Sequence, residues 1–245
     1  KDKIIENDQP PVDYPWMETR GTNVNAIWGY IADGLFTSQD EIDDHAKQFG
    51  TVHVGDIKYR DLNDDGVIDD YDKTVIGRGD VPRIYYGFGA DLQVGNFSFS
   101  ALFQGNAQAD RYLDGISIKP FWDDEGRDNV FANITDRWSA DNPTNQDVFY
   151  PRLSVGSDGN NNNVKPSSWW VKDVSFLRLK QVNISYTLPK KWTDPLLIKN
   201  AQIYLMGTNL LTFSKFKLWD PELNTSNGTA YPNVSSYSIG LKFNF

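Results

Sequence analysis

The sequence predicts an all-β protein whose antiparallel strands are segments of a transmembrane β-barrel, and three observations carry that prediction. Several stretches of about ten residues alternate apolar and polar positions, the period of a strand with one greasy and one wet face. The connections between these stretches are short on one side and long on the other. Aromatic residues make up 14% of the chain, with Trp 8, Tyr 12 and Phe 14, a composition suited to strands and interfacial girdles. A half-buried strand of a soluble sandwich shares the period of two, but a sandwich has no reason to segregate its loop lengths.

Along the chain, residues 1–81 read as an extracellular loop region, and strands follow at about 82–94, 96–105, 174–188, 201–211 and 235–245. In the first strand Ile84, Tyr86, Phe88, Ala90, Leu92 and Val94 alternate with Tyr85, Gly87, Gly89, Asp91 and Gln93. Gly95-Asn96 supplies a tight turn, because both residues tolerate positive φ. The return strand places Phe97, Phe99, Ala101 and Phe103 opposite Ser98, Ser100 and Gln104. The third breaks phase, Leu177 and Leu179 lying opposite in parity to Val182 and Ile184 with Arg178 and Lys180 between, which predicts a bulge or a stretch above the bilayer. The fourth follows the connection 189–200, in which Trp192 is expected as an interfacial anchor. The last alternates Tyr237, Ile239, Leu241, Phe243 and Phe245 with Ser236, Ser238, Gly240, Lys242 and Asn244. Placing its end in the periplasm makes the Gly95-Asn96 turn and 189–200 periplasmic, and makes 106–173 and 212–233 long extracellular loops. Within the first of these, the run Gly156 to Asn163 reads as a mobile, turn-rich segment.

Composition closes several function classes. A formal charge of -9 without a basic stripe argues against nucleic acid as a partner. With no cysteine there is no disulfide, thiolate nucleophile or Cys-bound metal. Nothing approaches the eighteen or so consecutive apolar residues of a membrane helix, whereas barrel strands need only about 9–11 residues. Residues 1–11 lack the pattern of a secretory signal, so the signal is expected to have been removed or the chain to be a piece of something longer.

The sharpest local motif runs from Asp61 to Asp72. Asp61, Asn63, Asp65, Asp69 and Asp72 offer side-chain oxygens at loop positions 1, 3, 5, 9 and 12, Val67 offers a carbonyl at 7, and Gly66 permits the sharp turn at 6. That spacing predicts a structural Ca2+ loop, with Asp69 ligating directly or through water. Asp at position 12 resembles dockerin-type loops and leaves its bidentate contact open. The alternative is an acidic turn without metal. Asp123-Asp124-Glu125 beside Trp122 suggests a glycosidase pair only weakly, since adjacent loop carboxylates favour a solvated turn. His45 and His53 have no nucleophile or orienting partner in sequence and are expected at the surface. No enzyme is expected. The loop tryptophans favour packing, with Trp122 and Trp219 kept as candidates for substrate contact.

Taken together, Gly29 to Ile42 (GYIADGLFTSQDEI), Gly55 to Gly77 (GDIKYRDLNDDGVIDDYDKTVIG), Tyr86-Gly87-Phe88, Phe103-Gln104-Gly105, Trp138 to Asn145, Tyr150 to Leu153, Phe176 to Lys190 (FLRLKQVNISYTLPK), Asn209 to Phe213 and the last strand resemble the C-terminal part of the SusC/RagA family of TonB-linked outer-membrane transporters of Bacteroidetes. The resemblance implies a barrel of about 22 strands filled by a plug, energised through TonB, partnered by a SusD-like lid lipoprotein, and importing oligosaccharides or oligopeptides across the outer membrane. Plug, TonB-contacting segment and most strands are absent here, so this chain would supply wall strands and loops against outer-membrane lipid, completed by the remainder of the barrel. The alternative from another class is a secreted, calcium-stabilised carbohydrate-binding β domain, which would be soluble and monomeric without detergent.

Overall fold

The structure is a computed structural model that describes residues 3–8, 12–121, 130–155 and 161–245. Its strands, in chain order, are β1 (Ile27–Gly29), β2 (Ala32–Leu35), β3 (Ile57–Tyr59), β4 (Thr74–Gly77), β5 (Ile84–Val94), β6 (Phe97–Ala107), β7 (Asp110–Tyr112), β8 (Val171–Asp173), β9 (Phe176–Thr187), β10 (Asn200–Ser214) and β11 (Ser236–Asn244). They fall into two compact units. The first comprises residues 1–81 and 110–172, and the second residues 82–109 and 173–245. The stretch expected as one long loop over 106–173 therefore folds mostly with the first eighty residues.

In the first unit the strands are short, β1 pairing with β4 and β2 with β3, and side chains finish what the backbone leaves open. Gln146 accepts from Leu35 N at 2.7 Å and donates to Leu35 O at 3.2 Å. Beside β3, Asn163 accepts from Ile57 N at 2.9 Å while Asn162 donates to Ile57 O at 2.6 Å. These amides stand in for a neighbouring strand, which satisfies backbone groups that burial would otherwise leave unpaired. Asn162 and Asn163 are each 3% exposed. The expectation of a mobile run thus fails for its last two residues, because a primary amide offers donor and acceptor in the geometry of a peptide group; residues 156–160 lie outside the described residues.

A charged knot sits in that core. Asp56, 0% exposed, accepts from Arg152 Nε at 2.8 Å, Asn163 Nδ2 at 2.7 Å and the amide of His53 at 2.8 Å. Tyr30, Leu35, Phe36, Ile57, Tyr59, Leu113, Tyr150 and Trp170 are among the buried apolar side chains of this unit. Trp138 covers Gly55, whose φ of +92° leaves no room for a Cβ beneath the ring. Trp169 donates to Phe149 O at 3.0 Å and Trp170 to Asn163 O at 2.9 Å. These tryptophans follow the packing expectation.

The second unit is a five-stranded antiparallel sheet in the order β11-β10-β9-β6-β5. Its register aligns one face row by row. Leu241, Ile203, Tyr186, Phe97 and Val94 form one row, and Ile239, Leu205, Ile184, Phe99 and Leu92 the next. Tyr237, Gly207, Val182, Ala101 and Ala90 form a third. On the opposite face Ser238, Met206, Asn183, Ser100 and Asp91 align. The phase break in β9 is a bulge: Gln181 pairs with Leu102 and Leu179 with Phe103, which leaves Lys180 as the extra residue. A bulge consumes one residue without a partner and so flips parity, returning Leu179 and Leu177 to the apolar face beside Leu211 and Phe213. The bulge, rather than a stretch above the bilayer, accounts for the phase break. The Gly95-Asn96 turn forms as expected, with Gly95 at φ +58°.

Both edges of this sheet, β5 and β11, lack a second partner strand among the described residues. Unpaired strand edges do not persist in hydrocarbon, so these edges call for further strands. Among the described residues no helix is long and apolar enough to cross a membrane.

Candidate metal loop and the wall-side loop

The acidic loop folds on itself through its own carboxylates. Asp61 Oδ2 accepts from Gly66 N at 2.8 Å, Asn63 Oδ1 from Asp65 N at 3.3 Å and Asp65 Oδ1 from Val67 N at 2.9 Å. Asp64 (φ +57°) and Gly66 (φ +85°) make the turn. A short parallel bridge between Lys47 and Val67 ties the loop down, with Ile68, 3% exposed, donating its N–H to Lys47 O at 2.8 Å. The loop closes on Asp72, whose oxygens accept from Leu62 N at 2.7 Å and Asp69 N at 2.8 Å, while Asp69 accepts from Tyr71 N at 2.8 Å. Asp72 is 0% exposed, and burial raises its pKa despite the two amides, with Asp61 and Asp69 adding repulsion.

Sequence neighbours of the motif are spoken for. Lys73 reaches Asp70 at 2.7 Å and holds its pKa down. Tyr14 stacks on Trp16 with centroids 4.7 Å apart and receives a 3.3 Å hydrogen bond from Asn63. The test of fit for a cation rests on one atom: Asp61 Oδ1 is enclosed and has no hydrogen-bond partner. A bare carboxylate oxygen sealed from water is costly, and a cation is the partner a position-1 aspartate takes in such a loop. Among the described residues no three His, Cys, Asp or Glu side chains gather closely enough to hold a metal. The remaining ligand oxygens accept from backbone amides and, at Asp65 Oδ2, from Asn63 Nδ2 at 2.8 Å, so ligation by Asp65 and Asp69 would need their side chains to turn.

In the second unit, sequence reasoning noticed Arg178 and Lys180 only as a phase break. Arg178 lies on the polar face and is 1% exposed. Its guanidinium contacts Asp220 and reaches Glu222 at 3.1 Å, with Lys180 3.9 Å from Glu222. The loop after β10 is thereby bound to the polar side of β9. A basic residue at a parity break, followed some forty residues on by an Asp-Pro-Glu run, was the available signal. Trp219 in that loop meets Phe216 edge-to-face at 5.0 Å and lies against Gly228. Its ring serves as packing in this arrangement. Trp122 and the carboxylates 123–125 lie outside the described residues. His53 is exposed, whereas His45 is half-buried edge-on to Phe36 at 5.4 Å.

No protein-family model matches the chain. Among curated proteins it is 34% identical over 237 residues to TonB-dependent receptor P26 of Formosa agariphila, covering 92% of this chain and 23% of the relative. It is 27% identical over 238 residues to TonB-dependent receptor P3 of the same organism, covering 92% and 22%. The chain therefore spans about a quarter of the length of the relatives it matches. Among solved structures, the RagAB peptide transporter superposes with a TM-score of 0.64 at 22% identity, over 92% of this chain and 23% of that one. The RagAB peptide importer in its open-open state gives 0.65 at 20% identity, over 96% and 24%. The sheet with one apolar and one polar face and two unfinished edges, and the match of nearly the whole chain to a segment of these receptors, agree: the chain is a barrel-wall segment of a SusC/RagA-like TonB-dependent receptor.

Proposed function

We propose that this chain helps to build an outer-membrane importer that takes up oligosaccharides or oligopeptides, driven through TonB and completed by a SusD-like lid lipoprotein. The observation that carries the reading is the register of the five strands, which aligns apolar rows on one face and a mainly polar row on the other. The chain's share of the work is wall and loops. The structurally similar RagAB is a peptide transporter, which supports small-polymer cargo as a class. The test is the composition of the detergent-extracted complex. A plug-bearing polypeptide and a lipoprotein accompanying this segment, with uptake lost when the proton-motive force is collapsed, is the expected result. A detergent-independent 27.9 kDa monomer would overturn it and favour a secreted binding domain.

The loop 61–72 is read as a Ca2+ brace within that importer. Asp61, Asn63, Asp65, Asp72 and the Val67 carbonyl would hold the ion, with Asp69 direct or through water; the ion would cancel repulsion between the carboxylates. The enclosed Asp61 Oδ1 supports this. Calcium titration of the chelator-treated full-length receptor should show one site that D61N with D65N removes; unchanged binding would sink the assignment.

A further inference from the structure

The connection between β9 and β10 is short and ordered, yet it turns its largest apolar side chains outward. Residues Lys190–Thr193 form one helical turn and Asp194–Leu196 a 3-10 turn. Its backbone is closed internally: Leu197 N donates to Asp194 O at 3.0 Å and Ile198 N to Thr193 O at 3.2 Å. Lys199 N ties the end to Asn244 O at 2.8 Å. Thr193 is the buried pivot at 2% exposed. By contrast Trp192 is 56%, Leu196 67% and Leu197 86% exposed. Leu197 also adopts φ +57°, a left-handed conformation that is unfavourable for a non-glycine residue. A strained, exposed leucine gains nothing from its own chain.

Two features identify what it meets. This end of the sheet continues the apolar face, through the row of Leu241, Ile203, Tyr186, Phe97 and Val94. The charges of the connection are Lys190, Lys191 and Lys199 against Asp194 alone. Apolar side chains continuous with a lipid-facing wall, beneath a net-positive rim, are the chemistry of a membrane interface that contains anionic headgroups. We propose that the 189–199 connection is a foot seated in the periplasm-facing leaflet, where Trp192, Leu196 and Leu197 enter the acyl boundary and Lys190 and Lys191 hold anionic phospholipid, Lys199 being engaged with Phe245 O at 2.9 Å. The foot rests on the barrel reading above.

The test uses the full-length receptor in nanodiscs of phosphatidylethanolamine with phosphatidylglycerol. A nitroxide attached through L197C should be severalfold more accessible to oxygen than to a water-soluble nickel chelate. Native mass spectrometry should show the double variant K190Q/K191Q retaining less than about half the phosphatidylglycerol of the unsubstituted receptor, with phosphatidylethanolamine adducts unchanged. A label favouring nickel places the foot in water, and a label reached by neither places it against protein. Either result, or undiminished phosphatidylglycerol, overturns the foot. Outer-membrane fractionation and heat-modifiable mobility are read on the same preparations: if both hold while the label faces water, only the foot falls; if both fail, the barrel reading falls with it.

Discussion

Val182 sits near the middle of the apolar face, so replacing it with arginine probes directly which side of the sheet meets hydrocarbon. From the row of Tyr186 and Phe97 to that of Leu177 and Gly105 is about eight residue rises of ~3.3 Å, or roughly 26 Å along the strand. At a barrel tilt of about 40° this projects to ~20 Å, within the ~25 Å apolar band of such barrels. Val182 lies four residues from one end and five from the other, in a row of small neighbours, Gly207, Ala101 and Ala90. An arginine there has room, and its cost is that of a charge at midplane, about 2–4 kcal/mol, or roughly a 30- to 700-fold loss in the folded-to-unfolded ratio. N183R points to the polar face and V94R lies at the band's margin, so each should stay within about 1 kcal/mol of the parent. The assay is urea unfolding of the full-length receptor in lipid vesicles, followed by heat-modifiable mobility. N183R costing as much as V182R would refute the assignment of faces, as would a neutral V182R.

R178A removes the cation that binds Asp220 and Glu222, leaving largely buried acceptors at a cost of about 1–3 kcal/mol; trypsin should then cut faster at Lys215 and Lys217, and an unchanged rate would show that the loop is held elsewhere. D56N places an amide where four donor groups converge; a loss of about 3 kcal/mol or more is expected, read as a lowered melting temperature, and a loss under 1 kcal/mol would contradict the buried pair. Burial of Glu41 opposes its ionisation, but Lys58 and Thr37 outweigh it and hold its pKa below 4.5. Its stabilising contribution is therefore present above that value and fades as pH falls through the lower folded pKa. E41Q should flatten this acid limb, and an identical pH profile in the variant would reject the role.

The five long strands of the sheet, their polarity, the Gly95-Asn96 turn and the parity break in β9 were legible because they depend on local geometry, whereas the short strands β1 to β4, β7 and β8 were not. Side chains alternate with a period of two whatever the partner, so Phe97 to Phe103 and Tyr237 to Phe243 declare their faces unaided. The candidate metal loop was legible for the same reason: its donors lie within twelve consecutive residues, and its turn needs Gly66. The sequence also left open whether the β9 break was a bulge or an exit from the bilayer. Only pairing decided that, since Lys180 becomes an extra residue only when Leu102 and Phe103 take consecutive partners.

Contacts distant in sequence were decided by tertiary structure alone. Asn162 and Asn163 look like a disordered polar run, and become buried strand surrogates because Ile57, more than a hundred residues earlier, offers unpaired backbone groups. Asp56 and Arg152 lie 96 residues apart, and Arg178 and Asp220 are 42 apart. A local pattern reports which face a side chain takes, because the backbone imposes that period. Which group waits on that face depends on how distant segments close, and a charge or amide becomes structural only when that closure removes water from it.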